Sequence, residues 1–218
     1  GMFKAHWWRR YRTLPAEIAS PDLATWEASL DCTFKGVKQA IKGKLPDFVV
    51  LQVWSRRGAN RYLVKQYRGR YGLVDTCALV VKAKREFPQL ASIYIEDTAN
   101  GPGVVDALRD VVEGMIPVST GTRSKDERAS AVTPIVEAHN CWIPESNGVA
   151  PFPWETDQGT DPVEAFVHEH QVFPKGKNDD QVDATALYLS RTRIPTQHVA
   201  LVETVRMSRV SDDHTTSM

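Results

Sequence analysis

Residues 47–67 constrain the fold more tightly than any other stretch of the chain. Asp47–Ser55, DFVVLQVWS, is an almost continuous apolar run rich in Val and aromatic residues. A run of that length and composition reads as a strand. Arg57–Asn60, RGAN, is turn chemistry, and Arg61–Tyr67, RYLVKQY, alternates as a second strand. Upstream, Trp26–Phe34 (WEASLDCTF) reads as a strand that ends at Asp31. Three strands in succession with a short turn imply an antiparallel meander.

The remainder alternates helices with short strands. Leu73–Phe87 has helical spacing through Cys77, Val80, Val81 and Lys84, and Pro88 stops it. Ala91–Ile95 (ASIYI) is a short apolar strand running straight into Glu96 and Asp97. Asn100–Gly114 repeats Val104, Val105, Leu108, Val111 and Val112 on one helical face, with Pro102 near its start and Gly114 at its close. Met115–Ser119 is a further strand. Ser124 and Glu127 form a capping box for a helix to about Ala138. Cys141–Pro144 is a strand, Asn147–Pro153 a loop, and Thr160-Asp161-Pro162 opens a helix through Gln171. Strands alternating with helices after a meander give a mixed α/β sheet flanked by helices. In such a sheet the ends of the first and fourth strands can lie side by side. Residues 3–27, with FKAHWWRRYR, Pro15 and Pro21, read as a linker without regular structure whose aromatics pack on the domain.

The chemistry concentrates in Lys175–Ala184, KGKNDDQVDA, where Asp179, Asp180 and Asp183 precede an apolar helix. Asn178 or Asp179 is placed to cap that helix, and Asp180 and Asp183, three apart, share a face near its start. Acids there complement the helix dipole, so a well-capped helix accounts for them by itself. That is the default for an acid-rich helix start; the alternative is a site for hard cations, which take several carboxylate oxygens, and spacing alone does not choose between them. Asp31 ends the first strand, Glu96 ends the strand after the first helix, and Asp180 opens the last helix. Carboxylates gathered together repel one another unless a cation sits among them. Two divalent ions bridged by such acids are a device for in-line phosphodiester displacement.

Other chemistries find little support. Lys plus Arg and Asp plus Glu both total 27, so a nucleic-acid binder would need segregated charge patches. Cys32, Cys77 and Cys141 lack zinc-site spacing and are odd in number, against a disulfide framework. His168-x-His170 is the only close histidine pair and reads as exposed helix residues. No apolar stretch is long enough to span a membrane.

Four ordered stretches carry a resemblance: SLDCTFKG followed by DFVVLQVW, YIEDTANGPGVVDAL, GTRSKDERASAV and KGKNDDQVDA. Together they resemble the nuclease domain of the phage terminase large subunit, and FKAHWWRRY resembles the linker leaving its motor domain. The resemblance implies an RNase H-like fold and a Mg²⁺- or Mn²⁺-dependent endonuclease, with two ions, acting on double-stranded concatemeric DNA during genome packaging. It makes Asp31, Glu96 and Asp180 the metal ligands, with Asp179 and Asp183 as further direct or water-mediated ligands. Lys35, Lys125 and Arg128 become candidate DNA-phosphate contacts, against the alternative of solvated surface cations. It implies residues 1–27 as a linker from an ATPase domain, 28–194 as the nuclease domain and 195–218 as a tail. It also implies the terminase small subunit and portal protein as partners, the ATPase domain of the same polypeptide, and the host cytoplasm. No P-loop G-x-x-x-x-G-K-[ST] stretch is present, so ATP hydrolysis is not expected of this chain. A resolvase- or transposase-type nuclease and a catalytically silent assembly module are the alternatives. Cleavage without partners should be weak, largely sequence-independent and steeply salt-sensitive.

Overall fold

A computed structural model describes residues 1–32, 48–98, 100–156 and 159–192. At its centre β2 (Thr25–Asp31), β3 (Val49–Arg57) and β4 (Asn60–Gly69) form the antiparallel meander, with Asp31 opposite Val50 and Arg57 opposite Asn60. The β3–β4 turn passes through Gly58 at φ 57°, a conformation glycine adopts without steric cost. β5 (Leu90–Glu96) lies parallel to β2 on its other side, and β6 (Met115–Val118) lies parallel to β5 at one edge. Beyond β4, β7 (Cys141–Pro144) pairs parallel with the start of that strand and β8 (Glu155–Thr156) with its end. β1 (Arg9–Tyr11) pairs parallel with β7 and completes the order β1-β7-β4-β3-β2-β5-β6.

Both faces of this sheet are covered, which is why its central strands read as apolar runs. Helices α2 (Leu73–Glu86) and α3 (Gly101–Leu108) pack through Leu79, Val80, Ala83, Val104 and Leu108 on one face, against Ala28, Leu30, Leu51, Ile93 and Ile95. Helices α4 (Lys125–Glu137), α5 (Pro162–Val172) and α6 (Asp180–Arg191) cover the other, against Trp54, Leu63, Tyr94 and Val118. A short helix α1 (Ala16–Ala19) seats Ile18 in the first core. Every residue from Gln181 to Leu189 is buried, so α6 is an interior helix, anchored by Tyr188 stacked on Trp54 at 4.6 Å.

The fold is the mixed, helix-flanked sheet that the sequence implies, with four local corrections. Residues 3–24 are not structureless: Ala5–Trp7 forms a 3₁₀ turn, Arg9–Tyr11 an edge strand and Ala16–Ala19 a helix, while Phe3, Trp8 and Tyr11 are buried as expected. The helix expected over 100–114 ends at Leu108; turns follow, and Gly114 at φ 81° brings the chain back so close to Ala91 that a Cβ would stand 2.4 Å from its carbonyl oxygen. The pair Glu155–Thr156 adds a strand. His170, read as exposed, is fully buried among Phe3, Trp8 and Phe166, while His168 is exposed. Lys35 and the tail beyond Thr192 lie outside the described residues.

Candidate active site

The site is built at the end of β2 and β5. Alternation along β2 turns Ala28 and Leu30 toward α2 and α3, and therefore Glu27, Ser29 and Asp31 toward the opposite face. Leu30 is level with Ile95 in the parallel register, so Asp31 and Glu96 are each the next residue and point to the same side, that of α4 and α6. Asp31 is only 3% exposed. Glu96 is followed by a tight return: a Cβ on Gly101 would stand 2.0 Å from the Glu96 carbonyl oxygen, so only glycine fits. Asn100 Nδ2 donates to the Cys32 carbonyl at 3.4 Å and ties the same loop to the end of β2.

Helix α4 brings the cations. Its capping box fixes the start, with Glu127 N donating to Ser124 Oγ at 3.2 Å and Ser124 N to Glu127 Oε2 at 2.7 Å. One turn carries Lys125 and Arg128 on a common face. Arg128 bridges two elements: Nη1 lies 3.0 Å from Glu96 Oε1 and Nη2 3.4 Å from Asp183 Oδ1. Thr120 Oγ1 donates to the same Glu96 oxygen at 3.0 Å. Lys125 Nζ lies 2.8 Å from Asp179 Oδ2 and 2.5 Å from Asp183 Oδ2. Burial pushes the Asp183 carboxyl up, against the opposing pull of Lys125 and Arg128. Burial disfavours the Lys125 ammonium, yet Asp179 and Asp183 outweigh it and raise its proton affinity.

Asp180 faces another way. Its Oδ2 lies 3.9 Å from Arg68 Nη2, and Arg68 in turn donates to Glu169 Oε2 at 3.1 Å. Burial, then the Glu169 charge, pushes Asp180 up to about 7, with Arg68 opposing. Glu169 also receives Gln181 N on Oε1 and Gln181 Nε2 on Oε2, both at 2.7 Å. Gln181 Oε1 accepts from Gln66 Nε2 at 2.7 Å, and Gln66 Oε1 accepts from Gln52 Nε2 at 3.0 Å. This buried chain fastens the first turn of α6 to the middle of β3 and β4. None of Glu169, Gln181, Gln66 and Gln52 was singled out from sequence; the signal available was a polar residue inside an otherwise apolar strand or helix face.

The structure thus brings Asp31, Glu96, Asp183, Asp179, Lys125 and Arg128 to one end of the sheet; Asp180 lies at the same end against Glu169 and Arg68, the latter in one cross-strand row with Val50 and Asp31. Asp179 sits at the cap position of α6 without a capping hydrogen bond; its carboxylate goes to Lys125 instead. Among the described residues no three His, Cys, Asp or Glu side chains converge as a ready metal cage. Instead, Lys125 and Arg128 of α4 lie between Glu96, Asp179 and Asp183. The donor set itself is one of hard oxygens, already compensated by positive charge, and so fits Mg²⁺ or Mn²⁺.

Solved structures share this fold. The nuclease domain of human cytomegalovirus terminase aligns at a TM-score of 0.57 and 10% identity over 88% of this chain and 92% of that one. The large terminase nuclease of thermophilic phage G20c, with bound zinc, aligns at 0.56 and 14% identity over 88% and 95%. A large terminase from another thermophilic bacteriophage, in complex with ATP-γ-S, aligns at 0.58 and 11% identity; this chain spans 43% of it and is itself covered to 86%. At these identities the likeness is one of fold. No curated protein matches by sequence. The terminase RNaseH-like domain family does match, over residues 28–191, which is most of the chain and includes every acid of the site. With that match, and a sheet order and helix placement that agree with it, the chain belongs to the terminase RNaseH-like domain family.

Proposed function

We propose that this domain is a divalent-cation-dependent DNA endonuclease that cuts double-stranded concatemeric DNA during phage genome packaging. The observation that carries the reading is that Asp31 and Glu96 end adjacent parallel strands on one face, with Arg128 tying Glu96 to Asp183 of α6. Asp31, Glu96 and Asp183 are the residues placed to hold the cation, with Asp179 beside them. Asp180, expected from the sequence motif as the helix ligand, is a second candidate through its position one turn away. A bound pair of Mg²⁺ or Mn²⁺ ions supplies Lewis-acid activation of water and neutralises charge at the scissile phosphate. The chain's own part is to fix the carboxylates: the parallel register aligns Asp31 with Glu96, Gly101 fixes the return after Glu96, and the Gln181–Glu169 network sets the azimuth of α6. Arg128 stays against Glu96 and Asp183 and limits their mutual repulsion. Lys125, at the exposed rim, is placed for a DNA phosphate, and Lys35 is carried by the motif alone.

We assign residues 28–194 to the nuclease unit. In this reading an ATPase domain of the same polypeptide, the terminase small subunit and the portal supply translocation and cutting specificity in the host cytoplasm; no described helix is long and apolar enough to cross a membrane. The test is plasmid cleavage with Mn²⁺, Mg²⁺ or EDTA. Wild type should cut with metal and not with EDTA. Asp31→Asn, Glu96→Gln and Asp183→Asn should fall to background while keeping their circular dichroism, and Asp180→Asn should keep measurable activity. Metal-independent cutting, or three active variants, sinks the reading. A dead Asp180→Asn beside an active Asp183→Asn reverses the ligand assignment.

A further inference from the structure

We propose that Lys125 is an exchangeable counter-ion: in the metal-free domain its ammonium holds Asp179 and Asp183, and a divalent cation displaces it. The proposal rests on the divalent-cation reading above and adds a competition that the reading does not require. Three observations carry it. First, Lys125 is the first residue of α4, where the helix dipole disfavours a cation, so its placement there is offset by partners outside the helix. Those partners are the two α6 carboxylates at 2.8 and 2.5 Å. Secondly, the two cations of α4 differ in access. The Lys125 side chain is 47% exposed and the Arg128 side chain 19%, so the lysine can swing into water while the arginine stays packed against Glu96. Thirdly, the residues before it, 121–124, are exposed, with Gly121 in a turn at φ 62°, so Lys125 borders solvent.

The physical argument is one of shared oxygens. The ammonium bonds Asp183 Oδ2, an oxygen that a cation among Asp31, Glu96 and Asp183 would also use. Both cannot hold it at full strength, so metal uptake includes the free energy of releasing the lysine. The released ammonium stays at the rim, where a DNA phosphate can take it up. Lys125 is then a positioning residue in one state and a phosphate contact in the other.

The test compares the full chain as wild type, Lys125→Met and Lys125→Arg, with Mn²⁺ alone as ligand, read by the free-Mn²⁺ paramagnetic resonance signal and by calorimetry. Lys125→Met keeps the stem and removes the charge, and should bind Mn²⁺ about 5- to 30-fold more tightly than wild type. Lys125→Arg keeps the charge and should stay near wild type. In EDTA, Lys125→Met should melt below wild type, because Asp179 and Asp183 lose their shared cation; saturating Mn²⁺ should erase that deficit. Wild type binding Mn²⁺ and Lys125→Met binding it no more tightly overturns the exchange and leaves the cation site standing. No Mn²⁺ uptake by either protein overturns the cation site and the exchange with it.

Discussion

Replacing Glu169 with alanine tests the buried chain that orients α6. Glu169 and Arg68 are 7% and 4% exposed at their side chains, so the pair is essentially dry. Removing one partner of a buried pair costs about 3–5 kcal/mol, because the other charge stays uncompensated. The variant also orphans Gln181 N and Nε2, at about 1–3 kcal/mol for an unsatisfied buried donor. Against that, Asp180 already stands 3.9 Å from Arg68, and without the Glu169 charge its own proton affinity falls, so it can take over part of the pairing. The net loss should lie near the lower bound, about 3 kcal/mol, or roughly 6–12 °C in Tm for a chain of this size. Urea and thermal unfolding in EDTA measure it directly. The double variant Glu169→Ala/Asp180→Asn should lose more than the sum of the single losses, because the substitute partner is gone. A Glu169→Ala loss under about 1 kcal/mol, or strict additivity of the pair, refutes the claim that this network holds the helix start.

Three other outcomes follow from single features. Gly101→Ala places a methyl group 2.0 Å from the Glu96 carbonyl oxygen, so the loop must move; about 1–3 kcal/mol of stability and most of the Mn²⁺-dependent cleavage should be lost, and unchanged cleavage speaks against Glu96 as a ligand. His170 is fully buried and burial drives it down to about 3, its Nδ1 donating to the Phe166 carbonyl at 2.8 Å. The folded state therefore refuses a proton that the unfolded chain accepts below about 6.5, and stability is lost as pH falls from there toward 3, by about 3 kcal/mol at pH 4.5. His170→Phe should flatten that part of the pH–stability curve, and an unchanged slope there refutes the assignment. Tyr188→Leu removes the ring stacked on Trp54 and should cost about 1–3 kcal/mol by urea unfolding, with a loss under about 0.5 kcal/mol counting against an anchoring role for the stack.

The meander was legible because it depends on local signals: a continuous apolar run, a Gly-containing turn and an alternating partner strand. So were the strand-end acids, since an Asp or Glu closing an apolar strand stands out. Edge pairings of two or three residues were not, because Arg9–Tyr11 and Glu155–Thr156 are strands only by virtue of β7 and β4. His170 was misread because α5 carries cover on more than one side, and the cover comes from Phe3 and Trp8 at the far end of the sequence. The acids of α6 show the same limit more finely. A spacing of three puts Asp180 and Asp183 about 60° apart around the helix, close enough to count as one face from sequence. In a helix buried all round, about 60° is enough to choose a different neighbour: β4 with Arg68 for Asp180, α4 with Lys125 and Arg128 for Asp183. Whether Lys125 and Arg128 meet water or carboxylates was equally hidden, since their partners lie on other elements.

For the proposed function, charge around the site bears on how a chain with no net charge would act on DNA. Among the described residues of the site, six carboxyls, Asp31, Glu96, Glu169, Asp179, Asp180 and Asp183, stand beside three cations, Arg68, Lys125 and Arg128. Even with Asp180 partly protonated near neutral pH, these described side chains sum to a negative charge, which repels a phosphate backbone at short range. Two divalent ions carry four positive charges and would reverse the sign of the cluster at the place where the phosphate must approach. In the proposed function, phosphate affinity at this sheet end is therefore coupled to metal occupancy, and the acids that would hold the ions are the same ones that would repel DNA without them.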